Sequence, residues 1–125
     1  MTTLRAVFTP NQVRNRAMYT ELVDAYQNDR PVNPVVVVEY LGEYHALSGS
    51  HRVAAMIQAF GRSTELADLS QYVIVLRSED LVLTSEASDC LQARRDGCIG
   101  YAESMMGALI ECLPENAAKA MSDQL

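Results

Sequence analysis

The chain has 125 residues, of which 49% are hydrophobic and 21% charged, and its formal net charge is −6. This length and composition are typical of one globular domain. Its ten lysines and arginines form no basic stripe, which argues against autonomous nucleic-acid binding. No apolar run reaches the roughly 18 residues of a membrane span, and the N-terminus lacks a signal-peptide pattern. We therefore expect a cytoplasmic protein with no membrane contact.

The three cysteines are Cys90, Cys98 and Cys112. An odd number without a secretion signal does not suggest a disulfide framework, and the spacing matches no common zinc pattern. We expect three reduced cysteines that pack as small hydrophobic residues, and we assign no metal ligand.

The N-terminal part predicts a short strand at residues 4–8 followed by a helix. Thr9 is a suitable cap, Pro10 suits the first helical position, and Gln12 would complete a capping box. Apolar residues then follow helical spacing as far as Tyr26. The middle of the chain predicts, in order, a buried valine strand at 35–38, a hairpin strand at 44–47, a helix at 50–60 capped by Gly61, and an apolar strand at 72–76.

The last third predicts a helix at 85–96, a second at 101–113, and a final helix or turn after Pro114. The helix at 101–113 carries two adjacent apolar stripes, which is wider than the single stripe that contact with one core requires. We predict a homodimer through residues 101–113. The alternative is that helices 86–96 and 114–121 of the same chain cover the second stripe.

A glycine turn between a strand and a helix is the main functional signal. Gly49 allows a sharp turn, and the helix that begins after it offers free N–H groups and a dipole that attract anions. Ser50 adds a hydroxyl, His51 an imidazole and Arg52 a guanidinium suited to phosphate. We predict a phosphate site at these four residues. The alternative is that Gly49 serves only the turn and that Arg52 is a solvated surface residue.

The order of elements and two motifs resemble the ParB/sulfiredoxin superfamily. Asn33-Pro34-Val35-Val36-Val37 is similar to its proline-led strand, and Gly49-Ser50-His51-Arg52-Val53-Ala54-Ala55 is similar to its Gly-x-x-Arg-x-x-Ala phosphate motif. The sulfiredoxin version of that motif, Gly-Cys-His-Arg, is especially close. The resemblance covers roughly residues 4–87.

The resemblance implies an α/β (α+β) fold, with a small mixed sheet and flanking helices. It divides the chain into a nucleotide-binding core at 1–87 and a helical C-terminal extension at 88–125. The implied ligand is ATP or CTP with Mg²⁺, and the implied activities are nucleotide hydrolysis, phosphoryl transfer or nuclease action. Ser50 stands where sulfiredoxin has its catalytic cysteine, so we expect no sulfinic-acid repair. Ser48 stands where a related serine kinase has an aspartate, so we do not expect that chemistry either.

Two further positions complete the candidate site. The superfamily often places a second phosphate-contacting arginine before the apolar part of its first helix, which here means Arg14 or Arg16. The alternative for both is a solvated helix face. His51 is the candidate catalytic residue, as a general acid or base, with a hydrogen bond at the helix start as the alternative. His45 is expected to be half-exposed scaffold.

The first functional hypothesis is a nucleotide-binding enzyme or nucleotide-dependent switch, of a size that suits a phage or plasmid accessory protein. The second is a catalytically inactive protein-interaction module on the same fold.

Overall fold

The computed structural model of the chain describes residues 2–122. It has a four-stranded mixed sheet with helices on both faces, which confirms the predicted α/β class. The strands are β1 (Val7–Phe8), β2 (Val35–Tyr40), β3 (Glu43–Ala46) and β4 (Val73–Arg77). The helices are α1 (Arg16–Gln27), α2 (Ser50–Phe60), α3 (Ser85–Arg95), α4 (Ile99–Ser104), α5 (Met106–Glu111) and α6 (Glu115–Ser122). Short 3-10 turns occupy Leu4–Ala6, Leu66–Leu69 and Ser78–Asp80.

The strand order is β1-β3-β2-β4. Strands β2 and β3 form the predicted antiparallel hairpin, with Val38 opposite His45. Strand β4 runs parallel to β2, and β1 runs parallel to β3. Strand β2 is therefore internal in the sheet, and all four of its valines are buried because both of its faces are covered.

Two layers of helices cover the two faces, and successive valines of β2 alternate between them. Val35 and Val37 belong to one apolar cluster, which includes Tyr26 of α1 and Met56 of α2. Val36 and Val38 belong to the other cluster, with side chains of α3 to α6 such as Leu109. The C-terminal helices thus form the second half of the core.

The predicted helix start at Thr9, Pro10 and Gln12 is wrong. Helix α1 begins at Arg16, and the side chain of Asn15 caps it by accepting a hydrogen bond from the Met18 N–H at 3.0 Å. Residues 9–15 instead form a loop, because the N–H groups of that segment find hydrogen-bond partners in α2, as described below.

The single helix predicted at 101–113 is also wrong, because the chain breaks at Met105 into α4 and α5. Residues of both apolar stripes are buried or partly buried, although Tyr101 is 63% exposed. Leu109 and Leu113 are buried, and Met106 and Ile110 pack partly buried against the same cluster. The chain's own helices thus cover much of the second stripe. The homodimer stays a prediction, and the width of the stripe now argues for it less strongly.

The cysteines behave differently from one another. All three are free; Cys90 is buried and Cys112 is half-buried, but Cys98 is exposed, so the predicted packing is wrong for Cys98. Within residues 2–122, no helix is long and apolar enough to cross a membrane.

The burial of α5 predicts a large stability loss for Leu109→Ala. Leu109 is fully buried in the second cluster, so truncation leaves a cavity and should lower the free energy of unfolding by roughly 2–5 kcal/mol. Urea denaturation followed by circular dichroism measures this. Val82→Ala is the matched control, because Val82 is 93% exposed and should change little. An equally small effect at Leu109 would show that α5 does not belong to the core.

Candidate functional site

The candidate site lies where β3 turns into α2. Gly49 has φ 85° and ψ 35°, a left-handed conformation, and it is the N-cap residue of α2. A cavity of about 560 Å³ opens at this helix terminus, and we call it the α2 pocket. It is lined by Pro10, Asn11, Gln12, Arg14, Met18, Leu22, Leu47, Ser48, Gly49, Ser50, His51, Arg52 and Glu103.

Position 49 requires glycine for two separate reasons. The positive φ disfavours any residue with a Cβ atom. In addition, a Cβ atom at this position would lie 2.7 Å from Nη2 of Arg52, which is closer than real Cβ contacts allow. The guanidinium of Arg52 therefore packs directly against the backbone of the turn.

Arg52 is a buried cation rather than a solvated surface residue. Its Nη1 donates to the carbonyl oxygens of Asn33 at 2.7 Å and Pro34 at 3.0 Å, and Nη2 donates to Oγ of Ser48 at 3.4 Å. Burial lowers its pKa, but a guanidinium stays charged in proteins. No carboxylate within residues 2–122 forms an ion pair with it. The wall of the pocket thus carries a positive charge that no described carboxylate neutralises directly.

The side chains of Ser50 and His51 hold the loop of residues 9–15. Oγ of Ser50 accepts a hydrogen bond from the Asn11 N–H at 3.1 Å. Nε2 of His51 accepts from the N–H groups of Arg14 at 3.0 Å and Asn15 at 2.9 Å. These two donors assign the proton of the neutral imidazole to Nδ1. The lone pair of Nε2 thus already accepts hydrogen bonds from the loop. The catalytic role of His51 stays a prediction.

The first turn of α2 presents backbone donors to the pocket. The N–H of Val53 donates to the Gly49 carbonyl at 2.9 Å. The preceding N–H groups, those of Ser50, His51 and Arg52, have no hydrogen-bond partner among the described residues. Unpaired N–H groups at the positive end of a helix dipole form a binding site for anions.

The structure separates the two candidate arginines that precede the apolar part of α1. Arg14 lines the α2 pocket, within the loop that His51 holds. Arg16 is not among the lining residues, and its guanidinium lies 5.1 Å from the ring centre of Tyr19. Only Arg14 is therefore brought together with the glycine turn.

Sequence reasoning missed Arg94 and Glu103, both from the C-terminal third. Arg94 is 4% exposed, and its Nη2 donates to the Leu47 carbonyl at 2.9 Å and to Oε1 of Glu103 at 3.2 Å. Glu103 is half-exposed and lines the pocket. The Arg94-Arg95 pair near the end of a helix was visible in the sequence. An arginine is ordinarily solvated, however, so nothing marked one of the two as buried.

His45 is more buried than predicted. It is 5% exposed rather than half-exposed, and its ring stacks on Phe8 with centroids 5.1 Å apart. Its Nε2 lies 3.9 Å from Oε1 of Glu43, too far for a hydrogen bond. Burial is the main cause that lowers the pKa of His45 below its usual value of 6.5, although Glu43 partly offsets it.

No protein-family model matches the chain, and the searches of curated proteins and of solved structures found no match either. The resemblance to the ParB/sulfiredoxin superfamily therefore stays a prediction. The fold and the pocket together define a small α/β protein in which a helix N-terminus opens into a cavity. Among the described residues, no group of three or more His, Cys, Asp or Glu side chains could hold a metal ion.

The geometry at position 49 predicts that Gly49→Ala costs more stability than Gly97→Ala. Both glycines have positive φ, so each variant should lose roughly 1–2 kcal/mol from backbone strain. A Cβ atom at Gly97 meets nothing within 4 Å, whereas at Gly49 it meets Arg52. The clash should add roughly 1–3 kcal/mol, measured by urea denaturation. Equal losses in the two variants would show that Arg52 does not pack against the turn.

The lowered pKa of His45 predicts a stability loss in mild acid. As the pH falls through 6.5, the unfolded chain takes up a proton at His45 before the folded chain does, so the free energy of unfolding decreases. The loss continues down to the lower folded-state pKa. His45→Phe preserves a stacked ring beside Phe8 and should flatten this part of the pH profile. An identical slope in the variant and the wild type would contradict the assignment.

Proposed function

We propose that this protein binds a small phosphate-bearing ligand, a nucleotide such as ATP or CTP with Mg²⁺, in the α2 pocket. The observation that carries the proposal is the set of three first-turn N–H groups of α2, which adjoin the buried guanidinium of Arg52. An anion at this position would accept hydrogen bonds from the backbone while lying close to a fixed positive charge.

The other walls of the pocket are also consistent with a nucleotide. Its volume of about 560 Å³ lies within the range of small-molecule sites. Met18 and Leu22 supply apolar surface for a base or a sugar, and Arg14 supplies a second cation for the phosphates.

Glu103 is the one carboxylate among the described lining residues. Mg²⁺ commonly binds through one or two carboxylates together with phosphate oxygens and water, so a single lining carboxylate fits an ion brought by the nucleotide. Oε1 of Glu103 also accepts a hydrogen bond from Arg94, which holds the carboxylate in place.

The side chains favour ligand binding over turnover. Ser50, His51 and Arg52, which the motif offers for chemistry, all make internal hydrogen bonds. Hydrolysis, phosphoryl transfer and nuclease action are therefore not part of the proposal. The same observation favours a second candidate, the inactive interaction module, in which these contacts serve only the fold.

Arg14→Ala should weaken nucleotide binding, and Arg16→Ala should leave it unchanged. Loss of a charge-assisted phosphate contact is worth about 1.5–3 kcal/mol, which corresponds to a roughly tenfold or larger rise in the dissociation constant. Isothermal titration calorimetry with ATP and CTP in the presence of Mg²⁺ measures it. Arg16 is a matched control because it lies on Tyr19, outside the pocket.

Arg14 gives a sharper test than Arg52. Replacement of Arg52 would leave the buried carbonyls of Asn33 and Pro34 without their donor and would therefore destabilise the fold. A measured loss of affinity would then combine the effect on stability with the effect on binding. Equal affinity of the Arg14 variant and the wild type would refute the proposed phosphate contact. Failure of the wild type to bind any nucleotide would refute the proposed function and favour the interaction module.

A further inference from the structure

We propose a second ligand site, specific for a small oxyanion such as a carboxylate or a phosphate, in a cavity between β3 and the end of α3. This proposal does not rest on nucleotide binding, because the cavity and the α2 pocket share only Pro10 among their lining residues. The residues that carry it are Glu43 and His45 on β3 and Arg94 and Arg95 on α3, all of which line the cavity.

The size of the cavity limits the ligand. Its volume is about 210 Å³, less than half of the 560 Å³ of the α2 pocket. That space admits an anion of a few heavy atoms and excludes a nucleotide. Phe8 and Ile99 provide apolar wall, so a short alkyl group attached to the anion would also find contact.

Two buried nitrogen atoms of the wall residues have no hydrogen-bond partner among residues 2–122, although one of them, Nε2 of His45, lies 3.9 Å from Oε1 of Glu43. Nε2 of His45 and Nε of Arg94 are shielded from solvent and make no hydrogen bond among the described residues. Their side chains are only 5% and 4% exposed. Native proteins satisfy nearly all buried polar groups, with protein, water or ligand atoms, so two such nitrogens on residues that line one cavity indicate a place for an acceptor.

The orientation of Arg94 is already determined by the fold. Its Nη1 and Nη2 donate to the carbonyls of Ala46 and Leu47, at 3.4 and 2.9 Å, so Nε is the nitrogen left for a ligand. Because the side chain is held before any ligand binds, binding would lose little side-chain entropy.

The charge of the walls favours an anion over a cation. Two arginines and one glutamate line the cavity, which gives a formal charge of +1 with His45 neutral. The glutamate, Glu43, already accepts a hydrogen bond from Nε of Arg95 at 3.0 Å. Glu103 forms an ion pair with Arg94 but does not line the cavity. The free hydrogen-bonding capacity of these walls is therefore mainly that of donors.

The test is a nuclear magnetic resonance titration of the ¹⁵N-labelled full chain with sodium acetate and, separately, with sodium phosphate, at constant ionic strength. The reporters are the Arg94 Nε–H resonance and the ring resonances of His45. We expect a saturable shift of both, with the two anions distinguishing a carboxylate site from a phosphate site. Arg95→Gln should weaken the binding roughly tenfold. Arg77→Gln is the control, because exposed Arg77 pairs with Glu79 outside the cavity and should change nothing.

His45→Phe provides a second variant and should also weaken the shift of the Arg94 Nε–H resonance. The backbone amides of Ser50 and His51 report separately on the α2 pocket. Shifts confined to those amides, abolished by Arg14→Ala, would support the proposed function and overturn the second site. A saturable shift at Arg94 without one at Ser50 would support the second site and leave phosphate binding at α2 unsupported. No saturable shift at Arg94 with either anion overturns the proposal, as does equal binding by the wild type and Arg95→Gln.

Discussion

The architecture around the pocket depends on the hydrogen bonds from the guanidinium of Arg52 to the carbonyls of Asn33 and Pro34. These bonds attach the first turn of α2 to the residues that lead into the central strand, so the helix terminus has a fixed position relative to the sheet. They also determine the residue at position 49, since the guanidinium occupies the space that a Cβ atom would need. The loop of residues 9–15 then attaches to side chains of the same helical turn, through Ser50 and His51.

A second buried arginine holds the other side of the same turn. Arg94 donates to the carbonyls of Ala46, at the end of β3, and of Leu47. Arg52 donates to the carbonyls of Asn33 and Pro34, which precede β2. Each helical layer thus contributes one arginine that binds the backbone beside a central strand. The two differ in charge compensation, because Arg94 pairs with Glu103 whereas Arg52 contacts only neutral groups within residues 2–122. A buried ion without a counterion is costly, and the dipoles of carbonyl groups offset that cost only in part. The uncompensated charge therefore lies on the side of the α2 pocket, which is the side that would attract an anion.

The elements predicted from the sequence are those that local signals specify. The run of four valines gave the buried central strand, and the helix at 50–60 was found because glycine stands at both of its ends. The loop at 9–15 was misread because Thr9 and Pro10 carry helix-start signals, while the hydrogen bonds that hold the loop come from residues some 36–39 positions later. The break at Met105 was missed because the apolar residues on both sides of it continue at helical spacing. Residues 49–52 were correctly located as a turn and helix start, but the burial of Arg52 depends on its tertiary contacts.

The backbone and the side chains in the first turn of α2 differ in what they can do without a conformational change. The N–H groups of the first turn are available as the chain stands, so an anion can bind there while Ser50, His51 and Arg52 keep their internal contacts. General-base chemistry through Nε2 of His51 is different, because that atom must first release the N–H groups of Arg14 and Asn15. Release of those groups would remove two of the three hydrogen bonds by which α2 side chains hold the loop of residues 9–15, which includes Arg14. In this arrangement ligand binding is compatible with the loop in place, whereas proton transfer through Nε2 requires the N–H groups of Arg14 and Asn15 to leave that atom.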